Sequence, residues 1–326
     1  MANQMKAAVR SGMGRIRTNN EDAYYFNGQF PTLETIDTEA AVQGTFSLQG
    51  SLFGVSDGIG GAFSGEVAST KTVAHLETFQ KVLQTERFAD AIIPWTREVN
   101  RLVSQAVPGG GCTIAMVYVN DQALHVAHVG DSRVYRLHQG QLIYMTKDHS
   151  KVQMLLDAGM ITPKEAAVHP QRHMVVRYIG MDEEENGICT ASVARPMPLV
   201  HGDRYLICTD GVTDMLDFQA LADLLAQNKE TDACAQAIYD RALGAGGLDN
   251  TTLIVLDVEV PEVSPHLRME TLEEDVFETT LGGRKAVPQP LQQAETSQRL
   301  HVTQTYQMPS VSGKKLVIRS EISIQP

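Results

Sequence analysis

The sequence predicts an α+β fold whose strands form antiparallel sheets. Residues 113–129 contain two apolar runs around a turn at Asn120-Asp121, which is the pattern of a β-hairpin. A second hairpin is predicted over 134–145, with its turn at Gln139-Gly140. Strands joined by turns this short must be antiparallel, because parallel neighbours need a crossover of about a dozen residues or more. A Rossmann-type parallel sheet is therefore disfavoured.

The elements before these hairpins follow from apolar periodicity. Residues 52–56 form a short apolar run that predicts a buried strand, ended by Asp57 and a glycine cluster. One helix is predicted to follow Ser64, its expected N-cap, and a second to span 88–106, because apolar residues recur there at helical spacing.

The elements after the hairpins begin with a polar segment over 148–180, predicted to be mostly helical with Pro163 at a helix start. We call this segment the flap, because it interrupts the strands like an inserted lid. The remaining predicted elements are strands at 188–194 and 205–208, helices within 218–243 and a closing strand at 251–260.

Composition limits the class of protein. The 326 residues are 43% hydrophobic and 20% charged, as in soluble globular proteins. A net charge of −12 argues against a nucleic-acid partner, because phosphate backbones are bound by clustered Lys and Arg. There is no apolar signal core and no run of about 18 apolar residues, so we expect a cytoplasmic protein without membrane association. Its four cysteines lack zinc-site spacing and are expected to be reduced and buried.

The chain divides into a domain over 1–261 and a tail over 262–326. The tail is rich in Pro, Gln, Ser and Thr, and it lacks the apolar periodicity needed to offset the entropy of ordering. We predict that it is largely disordered or weakly structured, with a small strand pairing near 316–324.

Short acidic motifs lie where strands or turns should end. They are Asn19-Asn20-Glu21-Asp22, Ser56-Asp57-Gly58-Ile59-Gly60-Gly61, Gly130-Asp131-Ser132-Arg133, Thr209-Asp210-Gly211 and Asp249-Asn250. Carboxylates this scattered make chemical sense if folding gathers them around hard divalent cations, which prefer oxygen ligands. Glycine after the acid lets the backbone approach closely, so the Gly58 carbonyl can also serve as a ligand. The sequence thus predicts a metal-dependent enzyme.

From about residue 8 to 260 the chain resembles the metal-dependent protein serine/threonine phosphatases of the PP2C (PPM) family, in particular the bacterial members. Several motifs recur in the order typical of the family, namely Arg17-Thr18-Asn19-Asn20-Glu21-Asp22, Asp57-Gly58-Ile59-Gly60-Gly61, His128-Val129-Gly130-Asp131-Ser132-Arg133-Val134-Tyr135, Asp210-Gly211-Val212-Thr213-Asp214 and Asp249-Asn250-Thr251-Thr252. The resemblance implies a four-layer α/β/β/α sandwich, in which two antiparallel sheets pack face to face between helices.

The resemblance also implies roles for site residues. Asp57 would bridge two Mn²⁺ or Mg²⁺ ions, the Gly58 carbonyl would bind one of them, and Asp210 and Asp249 would complete the second site. Glu21 and Asp22 would mainly hold water molecules of the metal shell, and Asp131 would join Asp210 at a third, weaker site. Arg17 would hold the substrate phosphate, since a guanidinium can clamp two phosphate oxygens; Arg15 is the alternative.

The histidines have no assigned catalytic role. His128 and His149 are expected to be structural, while His169 and His173 are expected on the flap surface. Some family members have a His where this chain has Ile59, so protonation of the leaving group stays unassigned, with metal-held water as the hypothesis. The flap is expected to select substrates, the alternative being a solvated insertion.

The expected function is hydrolysis of phosphoserine and phosphothreonine in proteins by direct attack of a metal-bridging water, opposing a bacterial Ser/Thr kinase that would itself be a partner. The alternatives are a phosphatase of anti-sigma-factor partner switching and a catalytically silent phosphoprotein-binding module. In the tail, Thr279 and Thr280 follow an acidic run. They suggest a kinase site that binds a forkhead-associated domain, against the simpler alternative of a solubilising tail.

Overall fold

The structure is a computed structural model that describes residues 3–59, 64–183, 187 and 189–261. All of the predictions for the tail, including its disorder, its small strand and its forkhead-associated partner, lie outside these residues. Among the helices of the described part, none combines the length and hydrophobicity that crossing a bilayer requires.

Thirteen strands are found in the described residues. They are β1 (Gln4–Gly12), β2 (Ala23–Phe26), β3 (Ala40–Ser47), β4 (Ser51–Ser56), β5 (Gly58–Ile59), β6 (Gly111–Cys112), β7 (Ile114–Val119), β8 (Leu124–Val129), β9 (Arg133–His138), β10 (Gln141–Tyr144), β11 (Ser192–Val193), β12 (Arg204–Cys208) and β13 (Thr251–Glu259). They form a six-stranded sheet of order β10-β9-β12-β13-β1-β3, a five-stranded sheet of order β11-β8-β7-β4-β2, and the short pair β5-β6. Every strand pairing is antiparallel, as predicted.

The helices lie outside the two sheets or in the flap. In the part of the chain that the structure describes they are α1 (Gly65–Val82), α2 (Phe88–Ala106), α3 (Lys151–Asp157), α4 (Pro163–Ala167), α5 (Asp210–Thr213), α6 (Phe218–Gln227) and α7 (Thr231–Gly244). The predicted bounds of α2 are confirmed. Ser64 precedes α1 as predicted, but its backbone is left-handed and its side chain makes no capping hydrogen bond.

Three apolar layers hold the sandwich together. Buried residues of β1, β4, β7 and β13 meet in the core between the two sheets. One outer core lies where α1 and α2 cover the five-stranded sheet, and the other where α5 to α7 cover the six-stranded sheet. Burial of apolar surface stabilises each interface by about 25 cal/mol per Å². The predicted four-layer α/β/β/α architecture is confirmed.

Both predicted hairpins are present as β7-β8 and β9-β10. Gln139 and Gly140 have positive φ angles of 50° and 80°, which matches the twist of a two-residue hairpin turn. The strand expected at 188–194 is reduced to β11, and the helical region after 218 is broken between α6 and α7.

The flap differs from its prediction. Only α3 and α4 are helical within 148–180, so the expectation of a mostly helical segment is wrong. Pro163 does begin α4, after a capping box in which the Thr162 side chain accepts from the Glu165 amide and the Glu165 carboxylate accepts from the Thr162 amide. One strand-like contact fastens the flap to the domain, where Ile179 pairs with Cys112, and a second joins the two ends of the flap to each other, where Ser150 pairs with Val175.

Candidate metal centre

The predicted carboxylates meet because strand register brings them together. Ala23 pairs with Ser56 across β2 and β4, so the preceding Asp22 and the following Asp57 leave the sheet side by side. Cys208 pairs with Arg133 across β12 and β9, which likewise brings Asp210 beside the turn that carries Asp131. Asp249 lies just before β13, the neighbour of β12. Residues from both sheets therefore converge at one end of the sandwich.

Hydrogen bonds from the backbone and from hydroxyl groups fix this cluster. The Asp57 amide donates to Thr113 Oγ1 at 3.0 Å, and that hydroxyl lies 2.6 Å from Ser132 Oγ, next to Asp131. Thr209 Oγ1 donates to Asp22 Oδ2 at 2.8 Å. The other carboxylate oxygen of Asp22, Oδ1, is buried and has no hydrogen-bond partner among the described residues. A buried oxygen of this kind is costly unless a cation or water binds it.

The electrostatics of the cluster show an excess of negative charge. Burial and repulsion from Asp210 raise the pKa of Asp22 and that of Asp131 to about 8 each. The pKa of Asp57 is raised well above its usual value by burial and by repulsion from Asp210, Asp22 and Asp131. Burial and the charges of Asp214 and Asp249 raise the pKa of Asp210 to about 6. Hard oxygen ligands that repel one another, one of them unpaired, fit divalent cations such as Mn²⁺ or Mg²⁺.

The loop between β1 and β2 carries Arg17, and we call it the arginine loop; it is fastened to the same cluster. Arg17 Nη2 donates to Asp249 Oδ2 at 2.8 Å, while 43% of the Arg17 side chain stays exposed. Asn250 holds the loop in place: its Oδ1 accepts from the Glu21 amide at 2.9 Å and its Nδ2 donates to the Asn19 carbonyl at 2.8 Å. This placement favours Arg17 over Arg15 as the phosphate ligand, because within the described part of the chain the Arg17 side chain bonds a carboxylate of the cluster and the Arg15 side chain does not.

Gly58 and Glu21 lie at the edge of the cluster. The Gly58 amide donates to the Glu21 carbonyl at 3.1 Å, and a Cβ added to Gly58 would lie 2.5 Å from the carbonyl carbon of Gly65. The close approach of backbone that glycine permits is thus present. The Glu21 carboxylate accepts from Asn19 Nδ2 at 3.2 Å and is nearly buried. All eight predicted site residues lie in this region, and their roles as ligands stay predictions.

Two residues near the cluster were missed in the sequence. His173, Asp210 and Asp214 each offer one ligand atom within 4.8 Å of the others, and His173 Nδ1 lies 3.3 Å from Asp214 Oδ2. His173 was expected to be a flap surface residue without a site role. The available signal was the spacing of Asp210 and Asp214, since residues four apart share one face of a helix. The flap therefore reaches the cluster.

His128 and His149, the two histidines expected to be structural, are held by hydrogen bonds. His128 Nε2 lies 2.7 Å from the Lys147 carbonyl, and His149 Nδ1 accepts from the Gly130 amide at 3.0 Å. Their rings stack at 4.5 Å. These contacts connect the flap to the turn before Asp131 and favour the predicted structural role.

Comparison with known proteins agrees with this geometry. Residues 13–153 match the family model described as protein phosphatase 2C. A serine/threonine protein phosphatase PstP of Mycobacterium tuberculosis is 33% identical over 78% of the chain, and the chain spans 45% of that relative's length. A putative protein phosphatase 2C-type of Streptococcus pyogenes is 30% identical over 79% of the chain and 100% of its own length.

A solved structure shares both the fold and the kind of ligand expected. The catalytic domain of a serine/threonine protein phosphatase PstP in complex with two manganese ions has a TM-score of 0.64 and 28% identity, over 79% of this chain and 100% of that one. These relatives confirm the resemblance seen in the motifs. The chain therefore belongs to the protein phosphatase 2C family.

Proposed function

We propose that this chain is a metal-dependent protein phosphatase that hydrolyses phosphoserine and phosphothreonine in proteins. The observation that carries the proposal is the cluster of buried aspartates from both sheets, with the half-exposed Arg17 guanidinium at its edge. Such a site combines a place for cations with a separate donor for phosphate. The relatives named as serine/threonine phosphatases support the same substrate class.

The metal ligands in this proposal are oxygen atoms already gathered by the fold. Asp57, the Gly58 carbonyl, Asp210 and Asp249 would hold two ions, Mn²⁺ or Mg²⁺, and Asp131 would contribute to a third with Asp210. When bound, the ions supply positive charge to the phosphoryl oxygens and lower the pKa of water. The manganese pair in the related PstP structure supports this assignment.

The protein's own groups would position the reactants. The exposed guanidinium of Arg17 has donors left over from its bond to Asp249, so it can hold two phosphate oxygens while Asp249 fixes its orientation. The unpaired Oδ1 of Asp22 can accept a hydrogen bond from water, and Thr209 keeps that carboxylate in place through the other oxygen. Water oriented in this way would attack phosphorus directly while the bond from phosphorus to the serine or threonine oxygen breaks. That oxygen would take a proton from water held at the site, as hypothesised from the sequence, and no covalent enzyme intermediate forms.

One assay tests this function. We expect the native protein to hydrolyse an aryl phosphate and a phosphothreonine peptide with Mn²⁺, and to lose both activities with chelator. Asp210→Asn should be inactive under both conditions. Asp223→Asn removes the same charge from an exposed position of α6 and should behave like the native protein. Activity that survives chelation would exclude a metal-dependent phosphatase.

We also propose that the phosphatase opposes a bacterial Ser/Thr kinase, as expected from the sequence. A silent phosphoprotein-binding module would need the sandwich but not the buried carboxylates, so the assay above separates the two. A role in partner switching would appear as activity on a phosphorylated anti-sigma-factor antagonist in preference to kinase substrates. The forkhead-associated partner of the tail and the cytoplasmic location stay predictions. The four cysteines are free and buried, as a reducing compartment allows.

A further inference from the structure

Large apolar side chains are exposed beside the metal centre. Among the described residues, Ile16 is 64% exposed, Leu248 57% and Met174 50%. Each is the sequence neighbour of a residue at the site: Ile16 precedes Arg17, Leu248 precedes Asp249, and Met174 follows His173. The exposed rings of Tyr144 and Phe218, by contrast, stack on each other at 4.9 Å and need no other partner.

The loops that carry Ile16 and Leu248 are packed together. The Arg15 amide donates to the Gly247 carbonyl at 2.7 Å. A Cβ added to Gly14 would lie 2.2 Å from the Asp249 carbonyl oxygen, so no side chain separates the two backbones there. With the bond between Arg17 and Asp249, these contacts hold the two loops side by side next to the metal centre.

The apolar surface continues toward the flap. A Cβ added to Gly246 would lie 3.5 Å from both Leu248 Cγ and Met215 Sδ, so both side chains lie next to Gly246. Met215 follows Asp214, the residue that His173 of the flap contacts at 3.3 Å. We call the exposed Ile16, Leu248 and Met174, together with the partly buried Met215, the apolar rim. The apolar rim extends from the neighbour of Arg17, the proposed phosphate ligand, to the flap.

The position of the rim identifies its occupant. Exposed apolar side chains scattered singly need no explanation, but a group of them bordered by polar residues marks a binding surface. Consecutive Cα atoms are about 3.8 Å apart, so Ile16 and Leu248 lie one residue away from the groups that would bind phosphate and metal. An extended peptide advances about 3.3 Å per residue, so the residues flanking a bound phosphoserine or phosphothreonine fall on this rim.

We infer that the chain selects phosphoserine and phosphothreonine peptides that carry apolar side chains within two residues of the phosphate. This inference rests on the proposed function, and it names the substrate class of that same site.

The test compares two phosphothreonine peptides of equal length and charge, one with Leu and Ile at the positions flanking the phosphate and one with Gln and Ser. We expect the native protein to show a kcat/KM about fivefold higher on the apolar peptide, because partial burial of one or two aliphatic side chains supplies the binding free energy for a ratio of that size. In Ile16→Ser/Leu248→Ser the ratio should fall below about twofold, and Met174→Ser should lower it as well.

A matched control is Leu33→Ser, which removes a side chain of similar exposure, 54%, that is not adjacent in sequence to any site residue. It should keep the native ratio. Should the double variant not fold, the two single variants carry the same test. A native ratio near one, or a ratio unchanged in the rim variants, overturns the inference while the phosphatase stands. Absence of hydrolysis of both peptides and of an aryl phosphate by the native protein overturns the proposed function itself.

Discussion

Replacing Asp210 by Asn should make the metal-free domain more stable, although it removes a proposed ligand. In the folded chain the Asp210 carboxylate is buried near other carboxylates, which raises its pKa from 3.8 to about 6. At pH 8 this rise corresponds to about 3 kcal/mol of lost folding free energy. Neighbouring carboxyl groups take up protons when Asp210 is charged, so we expect a gain of about 1–2 kcal/mol, or a Tm higher by roughly 5 °C.

Mn²⁺ should make the native protein more stable than Asp210→Asn, the reverse of the order without metal. With Mn²⁺ at a hundred times its Kd, the native domain gains about 2.7 kcal/mol, because the ion binds only the folded state. Asp210→Asn lacks the ligand and should gain much less. The native protein should therefore melt lower than the variant with chelator and higher than the variant with Mn²⁺. Calorimetry under both conditions measures the reversal.

The pH dependence gives an independent check. A carboxyl group with a raised pKa in the folded state costs no stability below its unfolded pKa, here 3.8, and the cost grows until pH exceeds the folded pKa of about 6. The advantage of Asp210→Asn without metal should thus be present at pH 8 and shrink toward pH 4. Asp223→Asn, on the surface of α6, should show neither the gain nor its pH dependence. A metal-free variant less stable than the native protein at pH 8 would refute the reasoning.

Three further predictions concern the supports of the site and of the fold. Gly58→Ala should weaken Mn²⁺ binding about tenfold by calorimetric titration, because its Cβ would displace the backbone at Gly65, whereas Gly244→Ala, at an open position of α7, should not; equal affinities would contradict the assignment of the Gly58 carbonyl. Thr209→Val should lower the free energy of unfolding in urea by about 2 kcal/mol, since it removes a hydrogen bond to a buried carboxylate oxygen of Asp22; no loss would show that water can replace that bond. Arg204→Met should cost about 3 kcal/mol in the same assay, because it leaves Asp257 without its buried partner; a neutral result would mean that Thr231 alone satisfies that carboxylate.

Local sequence predicted the elements whose signals are local. The two hairpins have short turns between alternating runs, and α2 has a continuous apolar stripe, so neither needed information from elsewhere in the chain. The site residues were likewise visible, because each lies in a short motif at a strand end. The order of the four layers was predicted from the resemblance to the family, because the periodicity of apolar residues does not show how sheets and helices stack.

The strands β1 and β3 were not predicted, for physical reasons. β1 carries Lys6 and Arg10 among its apolar residues, which obscures the signal of a buried strand. Arg10 is nevertheless buried, because its guanidinium bonds Asp232 and Gln236 of α7. β3 is an edge strand with alternately exposed residues and no charges. Both depend on partners far away in the sequence.

The structure of the flap and the position of His173 also depend on contacts that the local sequence does not reveal. Helical periodicity over 148–180 was overestimated, because the segment is held by backbone pairing at its ends, as between Ser150 and Val175, and not by an amphipathic face. No buried residue is found in α3. The approach of His173 to Asp214 depends on how the flap folds back, which no spacing in the sequence records.

The pairing of β1 with β13 places a condition on how the protein is made. Gly12 pairs with Thr251 and Gln4 with Glu259. The larger sheet therefore cannot be completed until β13 has been synthesised. Asp249 and Asn250, which fasten the arginine loop, also arrive late from the ribosome. Because contacts of such long sequence separation form slowly, a nascent chain exposes its aspartates before they can be neutralised. The active centre is thus a late product of synthesis, and a chain that stops short of β13 has no means of assembling it.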